Sequence, residues 1–140
     1  MKLRLLAVGK LRDAWVQEGC GEYLQRLQRA LPIETVEVKT QAELVARLPK
    51  RARIVVLDER GREPTSRELS HQLGAWMNRG TDVVLVIGGA DGVPTEVKER
   101  ADETIALSRL TLPHRLARLL LLEQLYRALS ILRGDPYHRE

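Results

Sequence analysis

The chain has 140 residues, room for one domain with a real hydrophobic core and too few for two. At 44% hydrophobic and 30% charged it is neither disordered nor fibrous, and no segment approaches the roughly 18 apolar residues of a membrane span. A net charge of +4 and a pI near 9.6 favour an anionic partner.

The short apolar stretch Leu5–Gly9 runs into Lys10 and Arg12 and is too short for a signal-peptide core. The single cysteine, Cys20, cannot staple the fold and fits a reducing cytoplasm, the expected location. The three histidines lack metal-ligand spacing, so no metal site is expected.

Leu3–Gly9 reads as a strand. Between Asp13 and Leu31 the larger apolar residues fall at Trp15, Val16, Cys20, Tyr23, Leu24, Leu27 and Leu31. That spacing gives one face of a helix, with Asp13 as N-cap and Pro32 as its stop. Ile33–Val38 is β-branched and reads as a second strand, and Gln41–Leu48 can make two helical turns. Arg53–Asp58 is a strand whose unbroken apolar centre predicts burial on both faces.

Thr65-Ser66-Arg67-Glu68 has the capping-box form. Leu69, Leu73, Trp76 and Met77 mark one face of the helix that follows, and Gly80 closes it. Asp82–Gly89 is the most strand-like segment. Pro94 opens a short helix, Thr104–Ser108 reads as a fifth strand, and Pro113 starts a last helix that Gly134 ends. Strand and helix alternate five times, the pattern of an α/β domain with a mostly parallel sheet covered by helices. No repeat or linker divides it, so residues 1–140 form a single domain.

In such sheets ligands bind in the loops beyond the carboxyl ends of the strands. Three loops therefore matter. The first follows Leu57-Asp58. The second, Ile87-Gly88-Gly89-Ala90-Asp91-Gly92, lacks the spacing of a dinucleotide fingerprint and the lysine of a P-loop. Its glycines serve either a tight turn or the approach of a ligand to bare backbone. The third, Leu107-Ser108-Arg109-Leu110-Thr111-Leu112, is unusually apolar for a loop. Its leucines either plug the core or wall a pocket. His71 reads as a surface residue and His114 as a packed one.

The last helix is apolar most of the way round and needs cover on more than one side. Its own sheet supplies one side and a second subunit is the economical cover for another. From Arg109 to the end there are six arginines and no lysine, and arginine is the residue suited to bidentate phosphate contacts. The chain then ends on Tyr137, His138, Arg139 and Glu140, chemistry-bearing groups in a place usually given to fraying residues.

Taken together, the glycine loop, LSRLTLPH, EQLYRALSILRG and the terminal PYHRE resemble one family. It comprises the SPOUT-class large-subunit ribosomal RNA methyltransferases that act on N3 of a pseudouridine in helix 69 of 23S rRNA. The resemblance runs the length of the chain, although Lys39–Arg53 is shorter than in most members. It implies a SPOUT-type α/β fold with a C-terminal trefoil knot, a homodimer, S-adenosyl-L-methionine as cofactor, and an assembled ribosome as substrate in rRNA processing. It places cofactor contacts on Leu57, Gly88, Leu107, Ser108, Arg109, Leu110, Thr111 and Leu112. His138, Arg139 and Tyr137 become the catalytic candidates: a base for the N3 proton, a cation for the resulting anion, and an orienting or stacking ring. The competing expectation is a non-catalytic nucleotide- or ribosome-binding α/β module, which has no need of the terminal PYHRE.

Overall fold

The computed structural model describes residues 1–140. In chain order the elements are β1 (Leu3–Val8), α1 (Ala14–Leu27), β2 (Ile33–Val38), α2 (Gln41–Ala46), β3 (Arg53–Arg62), α3 (Ser66–Arg79), β4 (Val83–Ile87), α4 (Thr95–Arg100), β5 (Glu103–Ile105) and α5 (His114–Arg133). The strands form one sheet in the order β2-β1-β4-β3-β5, and every pairing is parallel.

Alternation along the strands divides the core between the two faces of the sheet. Leu5, Val55, Leu57, Leu85 and Ile87 point to the side covered by α1, α3 and α5, where Trp76, Leu121, Leu122 and Leu125 also pack. Leu6, Ile54, Val56, Val84 and Val86 point to the other side, under Leu44 of α2 and Val97 of α4. All five residues of β4 are buried, as expected of a central parallel strand.

The helix signals act locally and hold. Thr65 accepts from the Glu68 amide while Glu68 reaches back to the Thr65 amide. Gly80 and Gly134 end α3 and α5 in the left-handed conformation, with φ of 68° and 73°. Boundaries differ where long-range contacts intervene. Asp13 sits at the N-cap of α1, but its carboxylate pairs with Arg115 at 3.0 Å instead of capping. α1 stops at Leu27, and a turn carries buried Leu31 to Pro32. β4 and β5 are shorter than expected, whereas β3 runs on to Arg62 through an irregularity after Leu57. Gly61 makes that extension possible, since a Cβ there would lie 2.6 Å from the Thr104 carbonyl oxygen.

Helix α5 lies against both α1 and α3 as well as the sheet. Its own chain therefore covers more of it than expected. Leu132 packs beside Gly74, and Leu120 (42% exposed) is left facing outward. Trp15 and Met77, expected on buried faces, are exposed.

Candidate cofactor and catalytic site

The carboxyl ends of β3 and β4 open into a cavity of about 630 Å³, within the usual size range for small-molecule sites. Seven of the eight expected cofactor residues line it: Leu57, Gly88, Leu107, Ser108, Leu110, Thr111 and Leu112. Arg109 does not. Its side chain turns outward to Glu63 at 3.6 Å.

The leucines of the third loop do both jobs left open above. Leu107 packs against the core while also lining the cavity. Leu110 is 76% exposed, an apolar wall without an occupant of its own chain. The amides of Leu107, Thr111 and Leu112 have no acceptor within the chain, whereas that of Leu110 donates to Ser108 Oγ. Apolar walls with free backbone donors suit a flat heteroaromatic ring such as adenine, which needs burial and a few edge hydrogen bonds.

Gly88 works differently from the ligand-approach expectation. A Cβ built on it would lie 2.4 Å from the Gly92 carbonyl carbon, inside its own loop. The residue thus closes a tight turn, bridged between Gly89 and Gly92; Gly92 has φ of 76°.

Asp58, Glu59, Arg60 and His114 also line the cavity; they lie in or beside segments the sequence singled out, but none was named there as a site residue. Asp58 accepts the Arg60 amide at 2.9 Å and pairs with Lys98 at 3.0 Å. Glu59 accepts from Thr111 Oγ1 at 2.6 Å, tying the third loop to the β3 extension. His114, expected to pack, stands at the start of α5 facing Gly9. One turn on, Arg118 is 2% exposed, pairs with Glu37 at 2.6 Å and donates to the Gly9 carbonyl at 3.1 Å.

The C-terminal residues do not reach this cavity. They fold back along α5, where Tyr137 and His138 meet Glu123 and Arg127. The cavity touches α5 at His114 and Ala117. At 1.5 Å per residue, Arg127 lies about 15 Å further along the axis from Ala117. Arg127 only donates, so His138 Nδ1 accepts at 3.2 Å, and Nε2 carries the proton toward Glu140. Glu140 also pairs with Arg67 of α3. Arg139 is exposed and has no ion-pair partner.

A parallel sheet with a ligand-sized cleft at its strand ends, built from glycine and leucine loops, defines the class. The family model for "predicted SPOUT methyltransferase" matches residues 1–138. A protein of Dechloromonas aromatica (strain RCB) named ribosomal RNA large subunit methyltransferase H is 48% identical over 155 aligned positions, covering 100% of this chain and 99% of that one. The chain belongs to the SPOUT methyltransferases and, within them, to the ribosomal RNA large subunit methyltransferase H family.

Solved structures share the fold at low identity. A "probable methylase family protein" from Haemophilus influenzae Rd KW20 superposes with a TM-score of 0.62 at 11% identity, covering 99% of this chain and 70% of that one. The SpoU methyltransferase AviRb from Streptomyces viridochromogenes, solved with AdoMet, gives 0.53 at 14%, covering 96% and 59%.

Proposed function

We propose that this protein methylates N3 of a pseudouridine in helix 69 of 23S rRNA, in the assembled ribosome, using S-adenosyl-L-methionine. It acts as a cytoplasmic homodimer in rRNA processing. The observation that carries the reading is the cavity whose leucine walls and unpaired amides suit an adenosyl group, in a chain of this family.

The cofactor supplies a methyl carbon already activated on a sulfonium; the chain supplies binding, orientation and proton handling. Leu57, Leu107, Leu110 and Leu112 would wall the adenine, and the amides of Leu107, Thr111 and Leu112 would be available to its edges. Gly88 and Ser108 hold the shape of their loops, and Arg109, at the rim, faces RNA phosphate. N3 must lose a proton before it attacks. Neutral His138 takes that proton once it leaves Arg127, Arg139 stabilises the anion, and Tyr137 orients both.

A tail that meets its own helix at Glu123 and Arg127, about 9 and 15 Å along the axis from the cavity residue Ala117, favours action on the partner's cavity. The seam between α1 and α5 favours the dimer. Leu119 packs on Gly19 there, and the neighbouring Trp15 (57% exposed) and Leu120 are uncovered. Leu120, Glu123 and Arg127 share one helix face by their spacing, so a partner seated on Leu120 adjoins the tail. The path of residues 107–113 supports the trefoil knot expected from the resemblance. These residues leave edge strand β5, contact the β3 extension and the residue after it through Thr111–Glu59 and Arg109–Glu63, and enter α5 beside Gly9.

Mass mapping of large-subunit rRNA from a strain lacking the gene should show one lost methyl group, at the helix 69 pseudouridine. Calorimetry should show S-adenosylmethionine binding. Absence of binding at millimolar cofactor would leave the non-catalytic module.

A further inference from the structure

Tyr137 is the most thoroughly engaged residue of the tail. Its ring meets Tyr126 edge-on, with centroids 4.7 Å apart and planes at 82°. The Arg127 guanidinium lies 4.8 Å from its centroid. Its hydroxyl donates to Glu123 Oε2 at 3.3 Å and lies 3.1 Å from the Tyr23 hydroxyl.

A phenol has one proton, and a carboxylate only accepts. With the Tyr137 proton directed at Glu123, the Tyr23 hydroxyl must donate to the Tyr137 oxygen. The chain of donors thus runs Tyr23, Tyr137, Glu123. Arg127 closes it through an ion pair with Glu123 at 3.1 Å. Glu123 and Arg127 are largely buried here, so these bonds are protected from water. Burial, the Tyr23 hydroxyl and the Glu123 charge all push the Tyr137 phenol up, keeping it protonated and able to donate.

Tyr137 in this arrangement is not a free ring awaiting a base: aromatic and cationic groups occupy it, and its hydroxyl is used within the chain. The next two residues differ. His138 is held only by side chains that can release it, and Arg139 is unpaired.

We propose that Tyr23 and Glu123 are positioning residues for methyl transfer, forming a seat that keeps Tyr137 fixed while His138 and Arg139 swing to the substrate. This rests on the reading of the tail as part of the catalytic site. The seat joins α1 to α5, since Tyr23 and Tyr137 are 114 residues apart in the chain. It holds the tail root at the seam where a second subunit is proposed to dock.

The test is Tyr23→Phe in the full-length protein, which removes one hydroxyl and leaves the ring packed against Tyr126. With unmodified ribosomes as substrate, kcat should fall about fivefold or more, the worth of an ordinary hydrogen bond. The KM for S-adenosylmethionine should not change, and amide exchange at residues 137–139 should quicken. Glu123→Gln, which can still accept, should retain more activity than Glu123→Ala. Wild-type kcat for Tyr23→Phe would overturn the seat, as would a loss appearing equally in the KM for the cofactor. A chain ending at Pro136 separates the two ideas. If it is inactive while Tyr23→Phe is fully active, the seat fails and the catalytic tail stands. If it methylates at the wild-type rate, the catalytic tail fails and the positioning role falls with it.

Discussion

Lys98 Nζ lies 3.0 Å from Asp58 Oδ2, tying the helix after the glycine loop to the strand end that forms the facing wall of the cavity. Burial raises the Asp58 carboxyl, but the Arg60 amide and the Lys98 ammonium outweigh it and hold the group below the usual carboxylate range. A depressed carboxyl contributes stability above its unfolded value, about 4, and loses it as pH falls through the lower folded value. Lys98→Met should therefore melt below the wild type at neutral pH, with the gap narrowing below about pH 4. Calorimetry should show S-adenosylmethionine affinity several-fold weaker. An equal gap at neutral and acid pH would remove the ion pair as the cause.

Gly88→Ala should lower melting temperature and cofactor affinity together, because its Cβ collides with the backbone of Gly92. Gly89→Ala meets only Val8, most closely its Cγ1 at 3.1 Å, and should be milder. A Gly88→Ala protein of wild-type stability that fails to bind cofactor would restore the ligand-approach reading.

Leu120 and Leu121 are neighbours in sequence and should behave oppositely. Leu121 is fully buried, so Leu121→Asp puts an unpaired charge in the core and should unfold the protomer. Leu120→Asp should leave the protomer folded, shift sedimentation to monomer and abolish methylation. A Leu120→Asp dimer of full activity would place the interface elsewhere.

His138→Ala should reduce kcat by about 10²–10⁴-fold, the range for a positioned proton acceptor, with cofactor binding unchanged. Mixing subunits that lack residues 137–140 with Leu110→Asp subunits, whose change falls on an exposed wall of the cavity and spares the fold, tests whether the tail crosses the dimer. Recovered methylation shows that it does, since a mixed dimer then holds one intact cavity and one intact tail on different chains. No recovery returns the tail to its own protomer.

Arg60 lines the cavity and Arg109 stands at its rim, with side chains 79% and 83% exposed. If both meet RNA phosphates, replacing each by alanine should lower the salt slope of ribosome binding by about one. An unchanged slope would place the RNA on another surface.

The elements and the three cavity loops were legible in the sequence because their causes are local. Thr65 and Glu68 cap a helix three residues apart, Gly80 and Gly134 end helices by adopting positive φ, and alternation sorts Leu5 from Leu6 to opposite faces. The resemblance added the expected occupant of those loops, which periodicity alone does not name. Only the tertiary structure decided how distant groups use one another. Asp13 gave up its cap for Arg115, Arg118 found Glu37 across 81 residues, and Gly88 turned its missing Cβ toward its own loop instead of a ligand. The tail carries the clearest division. Its residue types advertise chemistry, but its place on α5, clear of its own cavity, follows from a tyrosine reaching back 114 residues to Tyr23. Such contacts depend on where the sheet order sets each helix, and no local pattern encodes that order.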